Sequence, residues 1–200
     1  MQSSSIIRFT CGALALAVTA ITPLLAQERQ AVALASAKVT LAGTSNLHDY
    51  TATTTSVRLT RLQVASGADL AALTTPGTVQ AFEIAIPAAS LHSTRDGLDK
   101  NMHKALKAKE FADIVFRLSR LEPKGSALRA IGVLRLAGVE KEIAFDLVTA
   151  TKNGSLVVTG SVDLLMTDFG IPAPKAMMGM LKTDPKVTIS FETTLSIPLT

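Results

Sequence analysis

The chain has 200 residues, and 20 Lys and Arg against 16 Asp and Glu give it a modest charge of +4. With one Tyr, no Trp and no clustered basic stripe, it lacks the electrostatic footprint and stacking rings of a nucleic-acid binder. The single Cys11 lies in the N-terminal apolar segment, so disulfide, zinc-thiolate and Cys-nucleophile chemistry fall together once that segment is removed.

That segment carries Arg8, an apolar run from Phe9 to Leu25 and the small residue Ala26 ahead of Gln27 and Glu28, the order of a secretory signal. Thr10, Thr19, Thr22 and Pro23 interrupt the run, whereas a membrane anchor needs about 20 continuous apolar residues. Arg8, Phe9 and Thr10 ahead of Cys11 do not form a lipoprotein acylation box. The expected cut follows Ala26, although Ala35 and Ala37 each end a further small-x-small triplet. Losing residues 1–26 removes one Arg and no acid, leaving 19 basic against 16 acidic residues, a charge of +3. Residues 27–37 then read as a linker and 38–200 as one domain, long enough for a substantial core.

A first strand is expected over 38–44, where Val39, Leu41 and Gly43 alternate with Thr40 and Ala42. After a break at Asn46–Asp49, the Thr-rich run 50–60 suits a second pleated strand. Residues 66–77 mix Gly, Ala, Asp, Thr and Pro and read as a loop with one helical turn, leading to a strand over 79–86. The hydrophobic period then changes. Leu98, Met102 and Leu106 recur every four residues, predicting a short amphipathic helix with Lys100, His103, Lys104 and Lys107 on its polar side. Asp96, beside Arg95, is placed to cap that helix. Strands follow over 113–121, 128–137, 142–150 and 155–165, with turns at Pro123–Gly125, at Gly138 and at Asn153-Gly154. The Asn-Gly pair marks a type I′ hairpin, because both residues tolerate positive φ. Phe169 to Thr183 holds Pro172, Pro174 and Gly179 and is poor strand material; a last strand over 187–197 ends the chain. Eight strands joined by hairpins, with one helix, predict an all-β, eight-stranded antiparallel barrel. Closure at that number leaves an interior that side chains fill or one ligand occupies, and periodicity does not decide which.

Several segments in this order carry a resemblance. They are Gly43–Tyr50, Ser90–Ser93, Arg95-Asp96, the basic helix, Lys109–Phe111, Asp113-Ile114, Gly132–Gly138 with Lys141, Thr167–Ile171 and Asp184–Phe191. Together they resemble the YceI-like family of periplasmic polyisoprenoid-binding proteins, from about Val39 to the C-terminus. Ala112 departs from the pattern, since many relatives place proline there. The resemblance implies a lipocalin-like barrel that holds a long isoprenoid chain.

The inward face is expected to carry Phe82, Ile84 and Ile86, then Phe116 and Leu118, Val133, Phe145 and Leu147, Val158 and Val162, and finally Ile189 and Phe191. Any β core needs such alternation, so it fits a packed interior as well as a cavity. Large fillers are scarce, however: there are 7 Phe, one of them in the signal segment, and no Trp. Met177, Met178 and Met180, with Met166 and Met102, supply adaptable thioethers suited to a lid over a lipid tail, to a simple covering loop, or to soft-metal binding. No His lies within the Met cluster, and no metal or cofactor is expected. His48, His92 and His103 form neither a His-x-x-x-His nor a Glu-x-x-His pattern, which favours turn and surface roles. The basic helix face reads as solvated, with an anionic lipid headgroup as the alternative.

The sequence therefore reads as an exported, non-catalytic carrier, periplasmic or secreted, that binds a polyisoprenoid or other long-chain lipid, with room for transient membrane contact. Two alternatives remain open. One is a stress-related or structural partner protein with a packed core, and the other is an enzyme acting on an apolar substrate, which needs an inward polar constellation.

Overall fold

Alternation of apolar and polar side chains runs through most of the chain, and among the described residues of the computed structural model it yields ten strands, interrupted by one α-helix. The structure describes residues 32–173, 175–176 and 181–197, so the expected signal segment lies outside the described residues. The strands are β1 (Ala33–Ser45), β2 (Tyr50–Thr54), β3 (Arg58–Val64), β4 (Val79–Pro87), β5 (Asp113–Lys124), β6 (Ala127–Leu136), β7 (Val139–Lys152), β8 (Ser155–Leu165), β9 (Lys175–Ala176) and β10 (Leu181–Ser196). The helix α1 spans Asp96–Ala105. All pairings are antiparallel, and the sheet runs β2-β1-β10-β8-β7-β6-β5-β4-β3, with β9 paired to β10 beside this path.

Three expectations change. The first strand begins at Ala33, inside the stretch read as linker, because Ala33 to Gly43 pairs with β10 almost continuously. The strand expected over 50–60 is two strands, β2 and β3, at opposite edges of the curled sheet. Thr propensity gives no sign of a break there; each half pairs with a different strand, and the chain turns between them with Ser56 N–H donating to Thr54 Oγ1 (3.0 Å) and Val57 N–H to the Thr55 carbonyl (2.9 Å). The last strand starts at Leu181 rather than 187. Its early part is held by Asn46, whose side-chain oxygen accepts from Lys182 N–H at 2.8 Å.

Other expectations hold. The Asn153-Gly154 turn has φ of 50° and 74° and joins β7 to β8 through two residues, as a type I′ hairpin requires. β7 alternates without a slip from Ile143 to Ala150, half-buried and exposed residues taking turns.

The inner wall needs the same face to stay inward along long strands that bend. A bulge at Ser119 in β5 lets Leu118 pair with Gly132 and Leu121 with Ala130, so both leucines face the interior although they differ in parity. Two inward positions beneath phenyl rings carry no side chain at all. A Cβ on Gly132 would collide with the Arg117 carbonyl and with the Phe116 ring, and one on Gly160 would stand 2.6 Å from Phe191 Cζ and 2.8 Å from the Asp146 carbonyl. The glycines let these rings lie flat against the neighbouring strand. Phe145 stands between them, with ring centroids 5.4 Å from Phe116 and 5.6 Å from Phe191, within the range of favourable aromatic pairs.

Gly160→Ala is therefore expected to destabilise the protein by about 1–3 kcal/mol through overpacking, read as a lowered urea midpoint. An unchanged midpoint would show that the Phe191 ring can move aside.

Candidate functional site

Curling the sheet with its apolar face inward encloses a cavity of about 950 Å³. Phe82, Ile84 and Ile86 of β4, Phe116 and Leu118 of β5, Phe145 and Leu147 of β7, Val158 and Val162 of β8, and Ile189 and Phe191 of β10 all line it. Val133 does not. It pairs with Arg117 on one side and Glu142 on the other, which places it on the outer face, while Gly132 and Leu134 face in. Around Val133 the sequence is apolar on both faces and the true inward residue is a glycine, so alternation carried no parity there. Met177, Met178 and Met180 lie outside the described residues.

The wall also includes residues not singled out from sequence, among them Leu41 of β1, Tyr50 of β2, Leu62 of β3 and Leu73. Leu41 stands in a readable alternation. Leu62 does not, because a register shift between Leu59 and Arg61 resets β3. Leu73 belongs to a single 3-10 turn, Ala71–Thr74, and packs with Leu156 and Leu195 at one end of the barrel.

The other end is closed by α1 and its flanks. Leu106 is 7% exposed and packs with Leu91, Leu134, Phe169, Ile171 and Val187, while Leu98 and Met102 face the cavity above it. The expected helix stripe thus seats inward. The polar side differs from expectation in two ways. His103 is half-buried rather than solvated, with its Nε2 2.7 Å from the Leu91 carbonyl and its ring 5.8 Å from that of His92. The acid that organises the helix start is Asp99, not Asp96: it accepts the Ser93 N–H at 2.7 Å and lies 3.0 Å from His92 Nδ1. Arg95 occupies the cap position without a side-chain cap bond. Hydrogen bonding by Ser93, and after it by His92, holds the Asp99 carboxyl below the usual carboxylate range, with burial opposing.

These contacts anchor a strap, residues 88–95, that runs from β4 to α1. His92 forms an isolated two-way bridge to Thr53 of edge strand β2, with N···O distances of 2.7 and 3.0 Å. Ser90 adds a hydroxyl contact to Thr54 at 2.8 Å.

Beside α1 the cavity is bordered by a polar rim that includes His48, Asp49, Tyr50, Arg95, Lys104 and Lys107. Arg95 Nη1 donates to His48 Nε2 at 2.8 Å, which requires that nitrogen of the imidazole to be unprotonated. The Tyr50 hydroxyl is pushed up from its ordinary pKa by burial first and by the Asp184 charge second, and its ring rests on Gly43. Among the described residues every buried side-chain N or O atom has a partner, and no three His, Cys, Asp or Glu residues gather as a metal would require. The arrangement is an apolar container with a charged rim.

Residues 33–195 match the YceI-like domain family. The fold is similar to that of BcnA from Burkholderia cenocepacia, with a TM-score of 0.63 at 12% identity over 79% of this chain and 95% of that one. It is also similar to a polyisoprenoid binding domain from Saccharophagus degradans implicated in plant cell wall breakdown (TM-score 0.61, 11% identity, 85% of this chain and 100% of that one). The Campylobacter jejuni YCEI protein aligns with a TM-score of 0.50 at 16% identity over 69% of this chain and 82% of its own. At these identities the likeness is one of fold. No curated protein matches the chain.

Two outcomes follow from the helix end. Leu106→Ala is expected to cost about 2–5 kcal/mol and Lys104→Ala to stay within about 0.5 kcal/mol of the parent; equal melting shifts would put the helix on the wrong face. Because the folded Asp99 carboxyl is held below its unfolded pKa, its contribution is present at neutral pH and is lost as pH falls through the acidic carboxylate range. Asp99→Asn should therefore melt below the parent at neutral pH, and the two should converge in acid. A gap of constant size across that range would remove the charge from the explanation.

Proposed function

The chain belongs to the YceI-like domain family, and from that membership and the cavity we propose that it is a non-catalytic carrier holding a polyisoprenoid or other long-chain lipid inside the barrel. The observation that carries this reading is an apolar cavity of about 950 Å³ that the side chains of the wall leave unfilled. If each non-hydrogen atom takes about the 30 Å³ of a water molecule in the liquid, that volume has room for roughly 30 of them. Size also selects for length. Burying a methylene contributes about 0.8 kcal/mol, and association costs about 4–15 kcal/mol in lost freedom, so a hydrocarbon needs roughly five to twenty carbons before net binding begins. A branched chain of a few tens of carbons meets both limits.

The likeness of fold to a polyisoprenoid binding domain supports the same ligand class. Export to the periplasm or beyond is part of the proposal and rests on the Arg8 to Ala26 pattern. No helix among the described residues is long and apolar enough to cross a membrane.

Val158 and Val133 make a matched pair for testing this reading, because one lines the cavity and the other faces out. Val158→Phe should lower the lipid recovered by extraction from purified protein, with stability held or raised, whereas Val133→Phe should leave recovery at the parental level. Destabilisation of Val158→Phe by about 1–3 kcal/mol, from a parent that yields no lipid, would mean a filled core and would sink the carrier reading.

A further inference from the structure

The inner wall is not apolar throughout. At the end of the barrel remote from α1, Thr149 of β7 and Thr193 of β10 line the cavity, and both pair with the same residue, Val158 of β8. Residues directly opposite one another on paired strands share a face, so the two threonines flank Val158 in one inward row. Val158 packs in turn against Leu73, Leu156 and Leu195, the cluster at that end.

Neither hydroxyl is occupied. Both residues are half-buried, and among the described residues neither Oγ1 forms a hydrogen bond. Threonines elsewhere are partnered: Thr74, at the same end, donates to the Ala71 carbonyl at 2.8 Å, and on the outer face Thr188 donates to Asp163 at 2.6 Å and Thr159 to the Val148 carbonyl at 3.4 Å. Threonine and valine differ chiefly by the hydroxyl, and Val158 shows that valine fits this row, so packing alone does not call for the oxygen. The site is also far from charge. The charged residues that line the cavity, Asp49, Arg95, Lys104 and Lys107, all belong to the rim beside α1. Val187 packs under α1, and Thr193 lies roughly 20 Å further along β10 at about 3.3 Å per residue. A hydroxyl both donates and accepts. With no cation beside it, it suits a neutral oxygen, a hydroxyl or a carbonyl, better than a carboxylate or a phosphate.

We propose that Thr149 and Thr193 form a polar subsite that binds a neutral oxygen function on the far end of the ligand's chain. The inference rests on the lipid-binding reading of the cavity and narrows it to a ligand class, a long-chain lipid oxygenated at its ω end. An apolar site disfavours a ligand that merely adds a hydroxyl, by up to about a hundredfold, because the hydroxyl loses its water and gains no partner. The two threonines supply the partner.

The test compares geranylgeranoic acid with its ω-hydroxy form on the full chain, by displacement of a fluorescent lipid. The two acids differ by one tail oxygen, and the ionised carboxylate keeps the same end of each in water. The parent is expected to bind the ω-hydroxy form at least as tightly as the unmodified acid. Combining Thr149→Val with Thr193→Val should turn that parity into a loss of about tenfold or more for the ω-hydroxy form, and each change alone should give part of it, with affinity for the unmodified acid held or raised. Neither substitution removes a hydrogen bond within the protein, so the melting temperature should not fall. Thr159→Val, which removes an outward hydroxyl, should leave the ratio at its parental value. A parent that already disfavours the ω-hydroxy form by about tenfold would overturn the subsite and leave the carrier reading standing. The same holds if the ratio is unchanged in the double variant, which would mean that the tail oxygen meets water at the barrel end. Binding of neither acid would overturn both readings.

Discussion

An apolar face running unbroken along nine strands must be kept from water, and the sheet achieves this by curling until its own edges adjoin. The edges are β2 and β3, which are consecutive in the chain and separated by residues 55–57 alone. Among the described residues no hydrogen-bonded ladder joins them. The seam is covered instead by the strap, through the Thr53–His92 bridge and the Thr54–Ser90 contact, and the strap in turn is held by α1 through Asp99 and His103. The helix that interrupts the β pattern is thus the piece that lets an open sheet behave as a container.

What keeps the container hollow is the placement of its few large side chains. Phe116, Phe145 and Phe191 form one row across the wall, two of them lying over Gly132 and Gly160. Rings that lie on glycine backbone spread along the wall instead of projecting to the axis. The apolar clusters gather at the two ends, around Leu106 and Phe169 on one side and Leu73 and Leu156 on the other. Packing at the ends and thin lining between them leave the middle for a guest.

Much of this was legible in the residues. Phe82, Ile84, Ile86, Phe145 and Leu147 sit in clean alternation, and the structure puts all of them on the inner wall. The Asn153-Gly154 hairpin and the Leu98, Met102, Leu106 stripe were equally readable, since both depend on neighbours within a few positions. The failures have a common cause. Val133 lies where both faces are apolar and the inward site is a glycine; the split of 50–60 depends on which distant strand each half pairs with; and His103 turns inward because the Leu91 carbonyl waits there. Each was settled by contacts across the fold that leave no periodic trace. The basic side of the helix was readable, but the contact of His48 with Arg95 was not, as the two are 47 positions apart.

The seam has a consequence for time. Undoing the Thr53–His92 bridge and the Thr54–Ser90 contact breaks three hydrogen bonds, each worth about 0.5–1.5 kcal/mol net. A whole domain unfolds only against about 5–15 kcal/mol. Local opening along this line is then far more frequent than global unfolding. Such opening bares the apolar interior between β2 and β3 while the rest of the sheet stays paired.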